Sequence, residues 1–112
     1  MWQLDSITIQ PTGESAWFGG GTIVRPVIEY LWDKGYVTTT GGCECVGMLG
    51  AGLGGGHGRF EGLYGLISDN IRQFNVVLAN GTATRVSWPL ASRWISPQNA
   101  ASRPSKQSLT TC

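Results

Sequence analysis

Clustered charge of either sign is missing from this sequence. Its eight Lys and Arg are balanced by seven Asp and Glu to a net charge of +1, and the basic residues form no run. Such a surface has no field to gather nucleic acid or anionic lipid, so neither is expected as a partner. Long apolar runs are also missing. No stretch approaches the roughly 20 residues that a spanning helix needs, and the opening MWQLDSITIQ has neither the basic nor the apolar part of a secretory leader. The expectation is a chain outside the membrane, cytoplasmic by default. Cysteine and histidine are scarce. Three cysteines is an odd number, and Cys43 and Cys45 are too close together for an ordinary staple, so no disulfide scaffold is expected. With His57 as the sole histidine, the Cys-x-Cys pair falls short of four zinc ligands, and no metal is expected.

What is present is apolar. Hydrophobic residues make up 41% of the 112 and charged residues only 13%, enough for one modest core and few charges to cover it. A protein partner covering exposed core faces is therefore expected. Strand-like residues begin at Leu4, which gives an abrupt start, as expected of an internal piece of a larger domain.

Local patterns assign most of the chain. Ile7, Thr8 and Ile9 are β-branched, Pro11-Thr12-Gly13 is turn chemistry, and residues 14–18 can return, which predicts a hairpin. Val24, Val27, Ile28 and Leu31 recur at helical spacing. Thr22 stands ready as a cap, Pro26 lies in the first turn and Gly35 in the C-cap region, so a helix is expected over 23–34. Residues 37–40 read as a short strand. Beyond a link through Phe60, Leu63 and Leu66, residues 71–79 and 82–87 read as two strands around Asn80-Gly81, a two-residue hairpin turn. Trp32 and Tyr64 are expected in the core. From residue 88 onward, Ser, Pro, Ala, Asn, Lys and Arg without apolar period predict a disordered tail.

Residues 41–58 read GGCECVGMLGAGLGGGHG. Each glycine inside a regular element costs about 0.5–1 kcal/mol, so this density predicts a loop without helix or strand. Bare backbone can approach a flat or anionic ligand, and its N–H groups can form an anion-binding concavity. A ligand-free packing loop is the other reading, and composition alone does not choose between them. Gly50-Ala51-Gly52-Leu53-Gly54-Gly55 does spell GxGxxG. A dinucleotide turn should open a helix, however, and be followed about 20 residues later by an acid at the next strand's end. HGRFEGLYG is too rich in glycine for that helix, and the next strand ends in Ala79-Asn80-Gly81.

The ordered run Cys43-Glu44-Cys45-Val46-Gly47, Gly50, Gly54-Gly55-Gly56-His57-Gly58, Tyr64-Gly65-Leu66, Asp69-Asn70 and Val76 to Gly81 resembles the berberine-bridge-enzyme-like FAD-linked oxidoreductases, which have a vanillyl-alcohol-oxidase-type (PCMH-type) FAD-binding domain. The resemblance covers about Leu4 to Ser87, and the Cys-x-Cys-Val-Gly form is similar to fungal members. It implies FAD as cofactor, held by Cys43, Val46, Gly47, Gly50, Ala51, Gly54, Gly55, Gly56, His57 and Gly58. It further implies that Cys43 matches the cysteine that can bond covalently to the flavin. A thiolate is a good nucleophile toward an electron-poor ring carbon, while an inert small residue is the competing role. His57 is expected to pack against or orient the flavin. Ala51 departs from relatives that carry a histidine steadying charge on the reduced ring. Asp69 and Asn70 are expected to fix the turn into the following strand.

The same resemblance places a second FAD loop, with a flavin-linking histidine, upstream of the matched segment, and a substrate domain with a catalytic base downstream. No catalytic residue is therefore assigned within the chain. The expected fold is α+β: residues 1–87 form a partial PCMH-type domain of short mixed strands, one well-formed helix and a central glycine-rich loop, and 88–112 form the tail. The expected activity is oxidation of a small-molecule substrate carbon by hydride transfer to FAD, with dioxygen as reoxidant, in fungal secondary metabolism. The alternative is a truncated, catalytically silent remnant acting through a partner.

Overall fold

The computed structural model describes residues 3–87 and the backbone of residues 96–97. The chain opens with β1 (Ile7–Ile9) paired antiparallel to β2 (Ala16–Phe18), with Ile7 opposite Phe18 and Ile9 opposite Ala16. Alternation sends these four inward, while Thr8 and Trp17 are exposed. The turn is built as the sequence suggests. Gln10 accepts from the Gly13 amide at 2.9 Å, Pro11 occupies the second position, and Gly13 takes the left-handed conformation at φ 68°.

Helix α1 (Val24–Asp33) follows, and its apolar stripe forms the centre of the core. Val24, Val27 and Leu31 are almost fully buried, joined by Ala16, Met48, Ile67 and Ile71. Its end confirms the expected glycine. The Lys34 and Gly35 amides donate to Leu31 and Trp32, and Gly35 sits at φ 82° with open space around the position a side chain would take. The cost of Gly35→Ala is therefore conformational alone, and the chain should lose about 1 kcal/mol in a denaturant titration.

Its start differs from expectation. The N-cap is Ile23, and no side chain caps the helix. The Thr22 hydroxyl is buried and bonds to nothing. Capping comes instead from carbonyls of a distant loop: the Val24 amide donates to Val46 at 2.9 Å and the Arg25 amide to Glu44 at 3.0 Å. With its first amides already bonded, the helix has no use for the threonine.

After α1 the chain forms β3 (Tyr36–Val37), paired antiparallel with β6 (Ser96–Pro97). The expected strand over 37–40 is thus shorter and starts earlier; Thr38, Thr39 and Thr40 run on buried but outside it. Three helices then appear where a loop and a link were expected: α2 (Met48–Leu53), α3 (Glu61–Tyr64) and α4 (Ile67–Asn70). Helix α2 carries Gly50 and Gly52 inside it, against the expectation that glycine would forbid a helix. Packing overrides propensity here. Met48 and Gly52 are buried, and a side chain on Gly52 would stand 3.0 Å from Ile67.

Asp69 and Asn70 do hold a turn, but the one between α3 and α4 rather than the entry to the strand. The Leu66 amide donates to the Asp69 carboxylate at 2.9 Å, and the buried Asn70 amide donates to the Tyr64 and Leu66 carbonyls at 2.8 Å. Trp32 and Tyr64 are only half-buried. The last described unit is a hairpin, β4 (Gln73–Val77) with β5 (Ala83–Ser87), in register Phe74 to Val86 and Val77 to Ala83. Its loop has three residues, not two. Leu78 donates to Thr82, Gly81 donates back to Leu78, and only Gly81 has positive φ. That is a turn followed by a left-handed residue rather than a type I′ pair, with the Asn80 side chain accepting from the Thr82 amide at 3.0 Å. The expected disorder of 88–112 concerns residues outside the described ones, apart from the Ser96–Pro97 backbone. Short mixed strands around one long helix make the fold α+β. Among the described residues no helix is long and apolar enough to cross a membrane.

Candidate functional site

The glycine segment wraps the start of α1 and then returns under α4. Ile23 and Gly47 form an antiparallel bridge, and Met48 donates to the Thr22 carbonyl at 2.9 Å, which locks residues 44–48 against the helix N-terminus. A second tie joins the same elements through side chains, since the Arg25 guanidinium pairs with the Glu44 carboxylate.

Within this frame the glycines divide into two sets. The first is required by the chain itself. Gly55 and Gly56 have φ of 101° and 77°, a side chain on Gly56 would lie 2.6 Å from Ile67, and one on Gly58 would overlap the Thr40 carbonyl. Gly56 and Gly55 carbonyls also accept from Ile67 and Ser68, tying the loop to α4. The second set comprises Gly42, Gly47 and Gly50, which have no positive φ and nothing within 4 Å of where a side chain would begin. Gly54 has only the Ala51 carbonyl at 3.7 Å. Neither packing nor backbone strain requires glycine at these four positions. A packing loop would explain the first set and leaves the second unexplained, whereas a flat ligand lying against bare backbone accounts for it.

The amides of Gly42, Glu44, Val46 and Gly47 donate to no backbone carbonyl among the described residues. Close by in the chain, the Thr39 hydroxyl is buried and bonds to nothing. Unused donors and orphaned hydroxyls suit the carbonyls and phosphates of a dinucleotide. On these grounds the residues present fit FAD.

The ten residues expected to hold the cofactor do not all lie in one setting. Gly56 is buried; Cys43, Gly47, Ala51, Gly55 and Gly58 are half-buried; Val46, Gly50, Gly54 and His57 are exposed. Ala51 packs on the core cluster. His57 Nδ1 lies 2.9 Å from the Glu61 carboxylate, one helical turn on, with its side chain 79% exposed. Cys43 is disulfide-bonded in this structure, and the exposed Cys45 is not the other half, in keeping with a spacing too short for a staple between the two. A flavin link at Cys43 therefore requires that bond to be reduced first. The GxGxxG string runs out of α2 rather than into a helix, and Gly54 is the C-cap, so the dinucleotide-turn reading fails on geometry. Among the described residues no three His, Cys, Asp or Glu side chains gather as a metal site.

Sequence reasoning missed Arg25 and Glu44. They are 19 positions apart and meet only because the loop folds back on α1, so no local signal marks them.

A half-open glycine loop, backed by a core helix and carrying unused amides and bare backbone, defines a cofactor-binding domain of α+β type. Comparison with known proteins gives that class its family. Residues 1–87 match the family described as FAD binding domain, and the chain belongs to it. It is 65% identical over 89 residues to FAD-linked oxidoreductase OXR2 of Pyricularia oryzae, covering 78% of this chain and 17% of that protein. It is 63% identical over 84 residues to FAD-linked oxidoreductase anuG of Penicillium roqueforti, covering 75% and 16%. The chain thus spans about a sixth of the length of these relatives. Among solved structures, 6-hydroxy-D-nicotine oxidase from Arthrobacter nicotinovorans superposes with a TM-score of 0.74 at 34% identity, over 78% of this chain and 19% of that one. The BBE-like 1 protein of Physcomitrella patens follows at 0.73 and 32%, with the same coverage. The expected fold and family are borne out: the chain is a partial FAD-binding domain of the berberine-bridge-enzyme-like type.

Proposed function

We propose that this chain is the flavin-contacting part of an FAD-linked oxidoreductase that oxidises a small-molecule substrate carbon in fungal secondary metabolism. The observation that carries this reading is the second set of glycines, whose bare backbone serves nothing within the chain. The fungal relatives named as FAD-linked oxidoreductases support it. FAD, when bound, would supply the redox chemistry, acceptance of a hydride from substrate with dioxygen as reoxidant. The chain's own residues bind and orient it. Gly42, Gly47, Gly50 and Gly54 give the ring and its linker close approach. The amides of Gly42, Glu44, Val46 and Gly47, which donate to no backbone carbonyl among the described residues, donate to anionic or carbonyl oxygens. Cys43, once reduced, offers a thiol for a covalent link, and His57, held by Glu61, flanks the loop.

The test is reconstitution. The chain is produced with FAD and reductant, its visible spectrum is recorded, and the protein is precipitated in acid. Flavin colour should stay with the pellet, and Cys43→Ala should release it while leaving flavin bound before acid. Colour bound but released from the unsubstituted protein would refute the covalent link alone. A colourless, folded protein would refute flavin binding by this chain.

A second reading has its own observation. A cleft of about 520 Å³ opens between the first hairpin, α2, α4 and β4, lined by Leu4, Trp17, Phe18, Leu49, Ile71 and Phe74 among others. So much open apolar lining on a small domain suits a protein surface laid over it. On this reading the chain is silent by itself and acts through that partner, and a colourless protein would favour it.

A further inference from the structure

His57 is the sole histidine in the chain, and the backbone on both sides of it is held. On one side Gly56 keeps a left-handed conformation at φ 77°, and its carbonyl accepts from the Ile67 amide at 3.1 Å. On the other, Gly58 lies against the Thr40 carbonyl. Between these fixed positions the imidazole projects outward, its side chain 79% exposed. Nδ1 lies 2.9 Å from Glu61 Oε2, and Glu61 is itself anchored, since its amide donates to the Gly58 carbonyl at 3.3 Å. Among the described residues no other hydrogen bond reaches the ring. A pair so exposed adds little to folding, so what Glu61 fixes is the ring.

A carboxylate only accepts, whereas a neutral imidazole donates from one nitrogen and accepts at the other. With Nδ1 against Glu61, the hydrogen of the neutral ring belongs on Nδ1 and the lone pair on Nε2. We propose that Glu61 is a positioning residue for His57: it holds the neutral ring as the Nδ1–H tautomer and leaves Nε2 as an outward hydrogen-bond acceptor, three residues from Gly54 of the spare set. Such an acceptor suits a ligand N–H or O–H and repels a bare carbonyl or phosphate oxygen. That is the reverse of what the Gly42, Glu44, Val46 and Gly47 amides suit. The loop thus offers donors early in its course and an acceptor late. The imide N–H of a flavin ring is a donor of this kind; that assignment rests on the flavin reading, while the tautomer does not.

The test reads the tautomer directly. Long-range proton–nitrogen correlation spectra of the full chain are recorded at a pH where the single imidazole is seen to be neutral. The ratio of Nδ1–H to Nε2–H should fall about fivefold in Glu61→Ala, the size of one modest hydrogen bond. Glu61→Gln, which keeps an acceptor without the charge, should lie between the two. FAD is then titrated into the same proteins and followed by fluorescence quenching. Glu61→Ala should bind it about two- to threefold more weakly, because only molecules with Nε2 free to accept count toward affinity. Circular dichroism checks that each variant is folded. A ratio that does not change in Glu61→Ala overturns the proposal. A ratio that changes while FAD binds all three proteins equally overturns the assignment of Nε2 to the cofactor. A changed ratio with no FAD uptake by any of them, the parent included, leaves the positioning role standing and removes the flavin reading.

Discussion

Gly58→Ala should unfold or nearly unfold the chain. The methyl group would enter the space held by the Thr40 carbonyl, which is backbone and cannot rotate aside. Overpacking in a fitted interior typically costs 1–3 kcal/mol. Here the obstacle is main chain on both sides, so about 3 kcal/mol or more is expected, a fall in Tm of about 12–24 °C for a domain of this size. A thermal melt followed by circular dichroism measures it. An unchanged melt would mean that the loop and the buried threonines do not touch as described. The comparison with Gly35 is instructive, because that residue has the less permissive backbone and the smaller expected cost. Space, not φ, decides at Gly58.

Gly50→Ala should do the opposite to the fold and still damage the site. Gly50 is inside α2, exposed, with nothing near the position of a side chain. Alanine there favours helix by about 0.5–1 kcal/mol, so the apoprotein should melt slightly higher. The added methyl group, however, stands on the bare surface assigned to the flavin. FAD affinity, read by flavin fluorescence quenching, should fall about tenfold, a change of about 1.4 kcal/mol. A raised Tm with weakened FAD binding separates a ligand surface from a packing surface at one residue. If the variant bound FAD as well as the parent, the open glycines would have lost their explanation, and the flavin would have to approach from another side.

How far the sequence showed this arrangement depended on the range of the interactions involved. Both hairpins and α1 were legible because each rests on neighbours in sequence: Ile7 and Ile9 alternate, Val24 to Leu31 repeat at helical spacing, and Gly13, Gly35 and Gly81 stop the chain where left-handed backbone is needed. The family was legible too, since the order of cysteine, glycines and later Asp-Asn is specific in combination. What failed was local reasoning about long-range effects. Glycine density predicted no helix, but Ile67 and Ile71 press on Gly52 and hold α2 in place. Thr22 had the right chemistry for a cap and was displaced by carbonyls from residues 44 and 46. Asn80-Gly81 carried the signature of a two-residue turn, while Asn80 keeps ordinary φ and bonds Thr82 through its side chain. The division of the glycines into required and spare was not visible at all, because it depends on what lies opposite each one in space.

The borrowed cap on α1 has one more implication. The Val24 and Arg25 amides can meet water only when residues 44–46 lift away, so the helix end and the cysteine loop share a single opening event. A ligand that holds the loop down would therefore slow the fraying of a helix it never contacts. The loop acts as a shutter on the core, and the occupancy of a surface site is written into the lifetime of buried hydrogen bonds.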